Sequence, residues 1–140
     1  MTSFPEKIFF LGAGGIGMSA LIRYFLAQNH EVMGYDKTQT KLTQKIDSEG
    51  ASIFYEDSVS LVPASFLNPK EVLVVLTPAI PKDSELLNFF IENNFTILKR
   101  AQVLGKITQN AKSIAVSGTH GKTTISSLIA SCLHHNDKAF

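Results

Sequence analysis

The chain has 140 residues, 44% of them apolar, which is enough for one packed domain and excludes wholesale disorder. Its 13 basic and 12 acidic side chains leave a formal net charge of +1 with no basic stripe, which excludes a charge-based case for nucleic acid or an anionic membrane as partner. A single cysteine, Cys132, excludes an internal disulfide, no apolar run approaches the ~20 residues of a membrane span, and Met1–Lys7 lacks the pattern of a signal peptide, so the expectation is a soluble cytoplasmic protein.

Taken in chain order, apolar runs that read as buried strands alternate with segments of helical period. Lys7–Leu11 is the first strand, followed at once by Gly12-Ala13-Gly14-Gly15-Ile16-Gly17. Met18, Leu21, Ile22, Phe25 and Leu26 then recur at helix spacing. Glu31–Tyr35 is a second strand, followed by Asp36; Ser52–Tyr55 is a third, and Glu71–Leu76 a fourth that runs into Thr77-Pro78-Ala79-Ile80-Pro81. Lys82-Asp83-Ser84 reads as a turn in which Asp83 caps a helix carrying Leu86, Leu87, Phe90 and Ile91. Thr96–Leu98 is the fifth strand, and Arg100–Lys112 a more polar helical stretch. Ser113–Val116 is a sixth strand, leading into a second glycine loop and a helix with Ile125, Leu128, Ile129, Cys132 and Leu133 on one face. This alternation predicts an α/β fold: a Rossmann-like parallel sheet with helices on both faces, then the first strand, phosphate loop and helix of an ATPase domain. We divide the chain into a Rossmann-like domain, residues 1–106, and a linker with the truncated start of a central domain, 107–140. The residues after 112 are too few to bury a core of their own.

The first glycine loop satisfies G-x-G-x-x-G and stands between a strand and a helix, where that motif has physical meaning. Glycines allow a tight turn and close approach of backbone N–H groups to a diphosphate, and the helix N-terminus adds partial positive charge. Asp36 lies 19 residues beyond Gly17, where a carboxylate accepts a ribose hydroxyl. Glycines of this kind also serve simply to pack a helix close to a strand. With the acid in place the segment reads as a nucleotide site, for NAD or for a nucleotide-sugar, which would use the same physics.

The second loop, Gly118-Thr119-His120-Gly121-Lys122-Thr123-Thr124, resembles the end of a P-loop. Its amides would cradle phosphates, Lys122 would reach the β/γ phosphates, and the Thr123 hydroxyl would ligate Mg2+. The general pattern wants glycine at position 116, where this chain has Val116. A lysine that merely caps a helix start is poor physics, because a cation at the positive end of a helix is unfavourable unless an anion lies between them. His120 reads equally as a ligand contact or as a structural hydrogen bond.

Two phosphate loops in this order resemble the Mur ligase family. Gly12–Leu21 resembles the amino-terminal signature of its L-alanine-adding branch, and Met18-Ser19-Ala20 favours that branch over the muropeptide-recycling one. Gly118–Thr124 resembles the family's shorter ATP loop. Thr77–Pro81 and Lys99–Leu104 resemble the segment after the fourth strand and the helix leading to the central domain. The resemblance implies an ATP-dependent ligase of peptidoglycan synthesis, with UDP-N-acetylmuramate and L-alanine as substrates and an acyl phosphate as intermediate. It places Gly14, Gly15, Ile16, Gly17 and Met18 at the UDP-sugar diphosphate, Asp36 near the uridine, and Thr77, Pro78 and Ala79 on another wall, with Arg100 steadying the anionic substrate. It places Gly118, Thr119, His120, Gly121, Lys122, Thr123 and Thr124 at ATP, with Lys122 as the catalytic charge and Thr123 on magnesium. Many relatives carry serine where Thr77-Pro78 stand, histidine near Tyr55 and glutamate at Gln102, departures that bear on the muramate pocket.

The L-alanine site and the magnesium-binding acid are expected beyond Phe140, so the fragment is expected to bind substrate without ligating it. An NAD-binding oxidoreductase, and a regulatory nucleotide-binding module, are the competing readings. Tyr35 and Tyr55 read as strand-packing residues. Cys132 reads as core and His134-His135 as a helix end with no partner at metal-ligand spacing. Asp57, Glu85 and the other carboxylates show no paired arrangement for acid–base chemistry.

Overall fold

Five of the six expected strands pair into one parallel sheet in the computed structural model, which describes residues 4–109 and 111–135. The strands are β1 (Lys7–Leu11), β2 (Glu31–Tyr35), β3 (Ser52–Phe54), β4 (Val72–Leu76) and β5 (Thr96–Lys99), in the order β3-β2-β1-β4-β5. β1 lies between β2, with Leu11 opposite Tyr35, and β4, with Leu11 opposite Leu76. Both faces of β1 and β4 are covered, which is why their sequences read as unbroken apolar runs rather than alternating ones.

Side chains nevertheless alternate between two cores. Ile8, Phe10, Leu73 and Val75 join Met18, Leu21, Ile22 and Phe25 of α1 (Ile16–Ala27), Ile46 of α2 (Lys41–Ser48) and Val103 of α4 (Arg100–Gln109). On the other face Phe9, Leu11, Val72 and Val74 meet Leu86, Leu87 and Phe90 of α3 (Glu85–Glu92), with Val62 and Phe66 from the connection before β4. Phe9 is the hinge of that face, its ring centroid 4.8 Å from Phe90 and 6.3 Å from Phe66. Each such buried apolar side chain contributes roughly 1.5–3 kcal/mol.

Helix α2 has no counterpart in the periodicity reading. Thr43 and Ile46 are its buried positions, too few to print a helical period on the sequence. Its start is set instead by a capping box, Thr40 and Thr43 exchanging side-chain and backbone hydrogen bonds. Helix α3 corrects the expected cap: Ser84, not Asp83, accepts from Leu87 N, because the first helical residue is Glu85. Helix α4 runs on to Gln109, past residue 106, with Val103 fully buried against the first core.

The chain divides into two compact units, Met1–Asn110 and Ala111–Phe140. In the second, helix α5 (Lys122–His135) forms as expected, but Ser113–Val116 joins no ladder. A strand needs a neighbour for its backbone groups, and the described residues of this unit include none. Cys132, expected in a buried stripe, is exposed for the same reason: α5 carries no buried residue among those described. Asn110, near the end of the polar stretch expected over Arg100–Lys112, lies outside the described residues.

Candidate functional site

The order β3-β2-β1-β4-β5 reverses direction at β1, since the chain moves outward to β2 and β3 and then returns to β4 on the other side. A crevice must open at the carboxyl ends of β1 and β4, where connections leave in opposite directions. A cavity of about 510 Å³ is found at these carboxyl ends, within the range of small-molecule sites. Gly12, Gly15, Asp36, Thr77 and Ala79 are among the residues that line it. A second cavity, of about 360 Å³, lies at the opposite ends of β4 and β5 between Pro5, Lys70 and Thr96, away from the first glycine loop.

The glycine loop is held from three sides. Gly12 N and Ala13 N both donate to the Tyr35 carbonyl, at 2.8 and 3.0 Å, and Thr77 N donates to Leu11 O at 3.2 Å. Gly12 has φ +91°, and a Cβ there would stand 2.1 Å from Thr77 Cγ2, so glycine is required twice over. A Cβ on Gly14 would meet Asp36 Oδ2 at 2.8 Å, and one on Gly17 would meet the Arg100 guanidinium at 3.0 Å. Thr77 and Asp36 thus press directly on the loop, and the exposed Arg100 side chain lies over Gly17.

Asp36 accepts from Gly14 N at 2.6 Å and, through its other oxygen, from Thr38 N at 3.0 Å. The carboxylate thus braces the loop and still lines the cavity. Behind Gly14, fully buried Thr43 brings its Cγ2 to 3.2 Å from the position of a Cβ, and Tyr55 donates to Thr43 Oγ1 at 3.1 Å. Tyr55 follows β3 rather than lying in it, and its role is to support this network.

Helix α1 begins with its positive end unsatisfied. Its N-cap, Gly15, supplies no side-chain hydrogen bond, and the first turn holds no acid. Helices α2 and α3 are both capped by side chains. Beside this bare N-terminus stands the exposed Arg100, a second positive charge where helix electrostatics disfavour one unless an anion joins them. Ile16 is 85% exposed at the same place, whereas the Met18 side chain is buried in the core and leaves only its backbone for a ligand. Pro78 and Ala79 are exposed and Thr77 half-buried.

Sequence reasoning passed over Asp57. Its carboxylate accepts from Ser84 Oγ at 3.1 Å, Leu86 N at 3.0 Å and Glu85 N at 3.1 Å, capping α3 from across the fold while lining the cavity. The available signal was positional: like Asp36, it closely follows a strand end, and a search for paired carboxylates does not find it. Tyr35 is buried, as a strand-packing residue would be, yet it also lines the cavity. Burial, then the charges of Asp57 and Asp36, push its hydroxyl above the usual tyrosine range.

The second loop stands in the other unit. Gly118 and Gly121 have φ of +151° and +77°, and α5 starts at Lys122 with Ile125 N donating to Gly121 O at 3.0 Å. Lys122 Nζ donates to Gly118 O at 2.5 Å, and His120 Nδ1 lies 3.1 Å from Thr119 Oγ1. Thr123 and Thr124 are exposed in the first turn of α5. No cluster of three metal-ligating side chains occurs among the described residues, and none of their helices is long and apolar enough to cross a membrane.

The profile of the Mur ligase family, catalytic domain, matches residues 7–112. The chain is 52% identical over 126 residues to a UDP-N-acetylmuramate–L-alanine ligase of Parabacteroides distasonis, spanning 90% of this chain and 27% of the relative. It is 50% identical over 131 residues to the ligase of that name from Phocaeicola vulgatus, spanning 94% of this chain and 29% of the relative. Among solved structures, a UDP-N-acetylmuramate–alanine ligase from Thermotoga maritima superposes with a TM-score of 0.82 at 30% identity, covering 95% of this chain and 30% of that one. A murein peptide ligase from Psychrobacter arcticus follows with a TM-score of 0.79 at 26% identity, covering 93% of this chain and 26% of that one. The chain thus spans less than a third of the length of these relatives.

Proposed function

The chain belongs to the Mur ligase family, and on that premise we propose that its first unit binds UDP-N-acetylmuramate for an ATP-dependent ligase that joins L-alanine to it in peptidoglycan synthesis. The observation that carries this reading is the bare N-terminus of α1 with the Arg100 guanidinium held over Gly17. Helix dipole and guanidinium together favour a diphosphate at Gly15–Gly17, while the rest of the substrate extends along the carboxyl ends of β1 and β4 past Thr77 and Ala79. Asp36, at the end of β2, faces the nucleoside.

ATP belongs to the second loop. Lys122 rests on a backbone carbonyl, and an incoming phosphate offers its ammonium a stronger, charged acceptor. Thr119, Gly121, Thr123 and Thr124 present hydroxyls and amides around it, and the Thr123 hydroxyl is the described group suited to magnesium, which would offset phosphate charge when bound. The chemistry follows from the carboxylate of the muramate, a poor electrophile. Its oxygen attacks the γ-phosphorus and ADP departs; the amine of L-alanine then attacks the acyl phosphate, and phosphate leaves from the tetrahedral intermediate. Lys122 steadies charge on the phosphoryl group in flight.

Calorimetric titration with UDP-N-acetylmuramate, NAD and ATP as separate ligands tests the reading. Saturable heat with the UDP-sugar is expected, lost in Gly17→Val, whose side chain would displace Arg100. Binding of NAD without binding of the UDP-sugar would overturn it in favour of a dinucleotide enzyme.

A further inference from the structure

Tyr35 is 6% exposed, and its ring packs against Phe54 with centroids 6.1 Å apart. Among the described residues its hydroxyl has no hydrogen-bond partner, although every fully enclosed side-chain polar atom there has one. The hydroxyl is therefore not fully enclosed; the residue lines the cavity, and so do Asp57 and Asp36, whose charges act on that hydroxyl. A polar tip on a buried side chain, facing a ligand-sized space, invites a ligand group to complete its bonding.

We propose that Tyr35 reads the ligand directly, its hydroxyl donating to a carbonyl oxygen of the uracil ring; this rests on the reading of the first unit as a UDP-sugar site. The cavity lining carries Asp36, Asp57 and Asp83 against one lysine, Lys37, and Asp57 and Asp36 act on the Tyr35 hydroxyl itself. Three carboxylates repel a diphosphate and leave this end of the cavity to the neutral nucleoside, with the phosphates at α1 and Arg100. Carboxylates also supply acceptors, which suit ribose hydroxyls and the imide N–H but leave the two uracil carbonyls in need of donors. Burial and the flanking carboxylates keep the Tyr35 hydroxyl protonated, and so a donor.

Tyr35→Phe removes the hydroxyl and retains the packed ring, so folding is preserved and thermal melting should match the parent chain. Calorimetry of both chains with UDP, and with inorganic pyrophosphate as a separate probe, isolates the contact. The expected result is a Kd for UDP raised about 3- to 10-fold in Tyr35→Phe, the range of one neutral hydrogen bond, with pyrophosphate binding unchanged. Equal UDP affinity in the two chains overturns the assignment, as does a penalty that appears with pyrophosphate instead. Failure of the parent chain to bind UDP at all would bring down the site reading itself, a result distinguishable from loss confined to the variant.

Discussion

Two segments of this molecule share one local recipe, a strand-like run, a glycine loop and a helix, yet only one is closely pressed by neighbouring elements. At the first loop a Cβ on Gly12 would strike Thr77, one on Gly14 would meet Asp36, and one on Gly17 would meet Arg100. At the second, Gly121 has nothing within 4 Å and the atom nearest a Cβ on Gly118 is the His120 carbonyl at 3.5 Å. The helices differ likewise: α1 buries Met18, Leu21, Ile22 and Phe25, whereas α5 buries none of its described residues. A phosphate loop is written locally, but its geometry becomes over-determined only when a sheet and its neighbours press on it from several sides.

Core truncation should expose the contrast most strongly. Phe9→Ala, which empties the space against Phe66 and Phe90, is expected to cost about 3–5 kcal/mol in urea unfolding. Leu128→Ala on α5, 61% exposed, should shift the same transition by less than about 0.5 kcal/mol. If the two costs are similar, the second unit is buried in solution and the contrast fails.

The loops themselves come next. Gly12→Ala combines a left-handed backbone with a clash on Thr77 and should cost about 2–4 kcal/mol. Gly121→Ala has the backbone strain without the clash, at φ +77°, and should leave the main transition within about 0.5 kcal/mol of the parent. Equal losses would mean that the second loop is as tightly enclosed as the first.

The smallest effect concerns how α1 is tied to α2. Arg23 binds Glu49 through both Nε and Nη2, at 2.6 and 3.2 Å. The hydrogen bond from Arg23, and then its charge, hold the Glu49 carboxyl below the usual range. A lowered folded-state pKa adds stability above the unfolded value, and that increment disappears as pH falls through the folded one. Glu49→Gln should therefore be slightly less stable than the parent near neutral pH and equal to it in strong acid. A difference that persists in acid would assign the effect to packing rather than charge.

Sequence pattern alone located the strands of the sheet within a residue or two at their ends, because buried strands and amphipathic helices print their period on the chain. It marked both glycine loops and Asp36, since each follows a strand or a strand-like apolar run where backbone must turn. Helix α2 stayed hidden because two buried positions make no period, and the cap of α3 comes from Ser84 and the distant Asp57 rather than from Asp83, which the local pattern offers. What brings Thr77, Asp36 and Arg100 onto one loop is the strand order, which puts β4 beside β1 and lays α4 near α1. No local pattern encodes that order; it is settled by which faces can be buried together. Tyr35 carries the same lesson: its sequence context announced a packed strand residue, and only the crevice at β1 gave its hydroxyl a space to face. For Ser113–Val116 the strand pattern was legible, but a strand is completed by a partner, and pairing is a tertiary event.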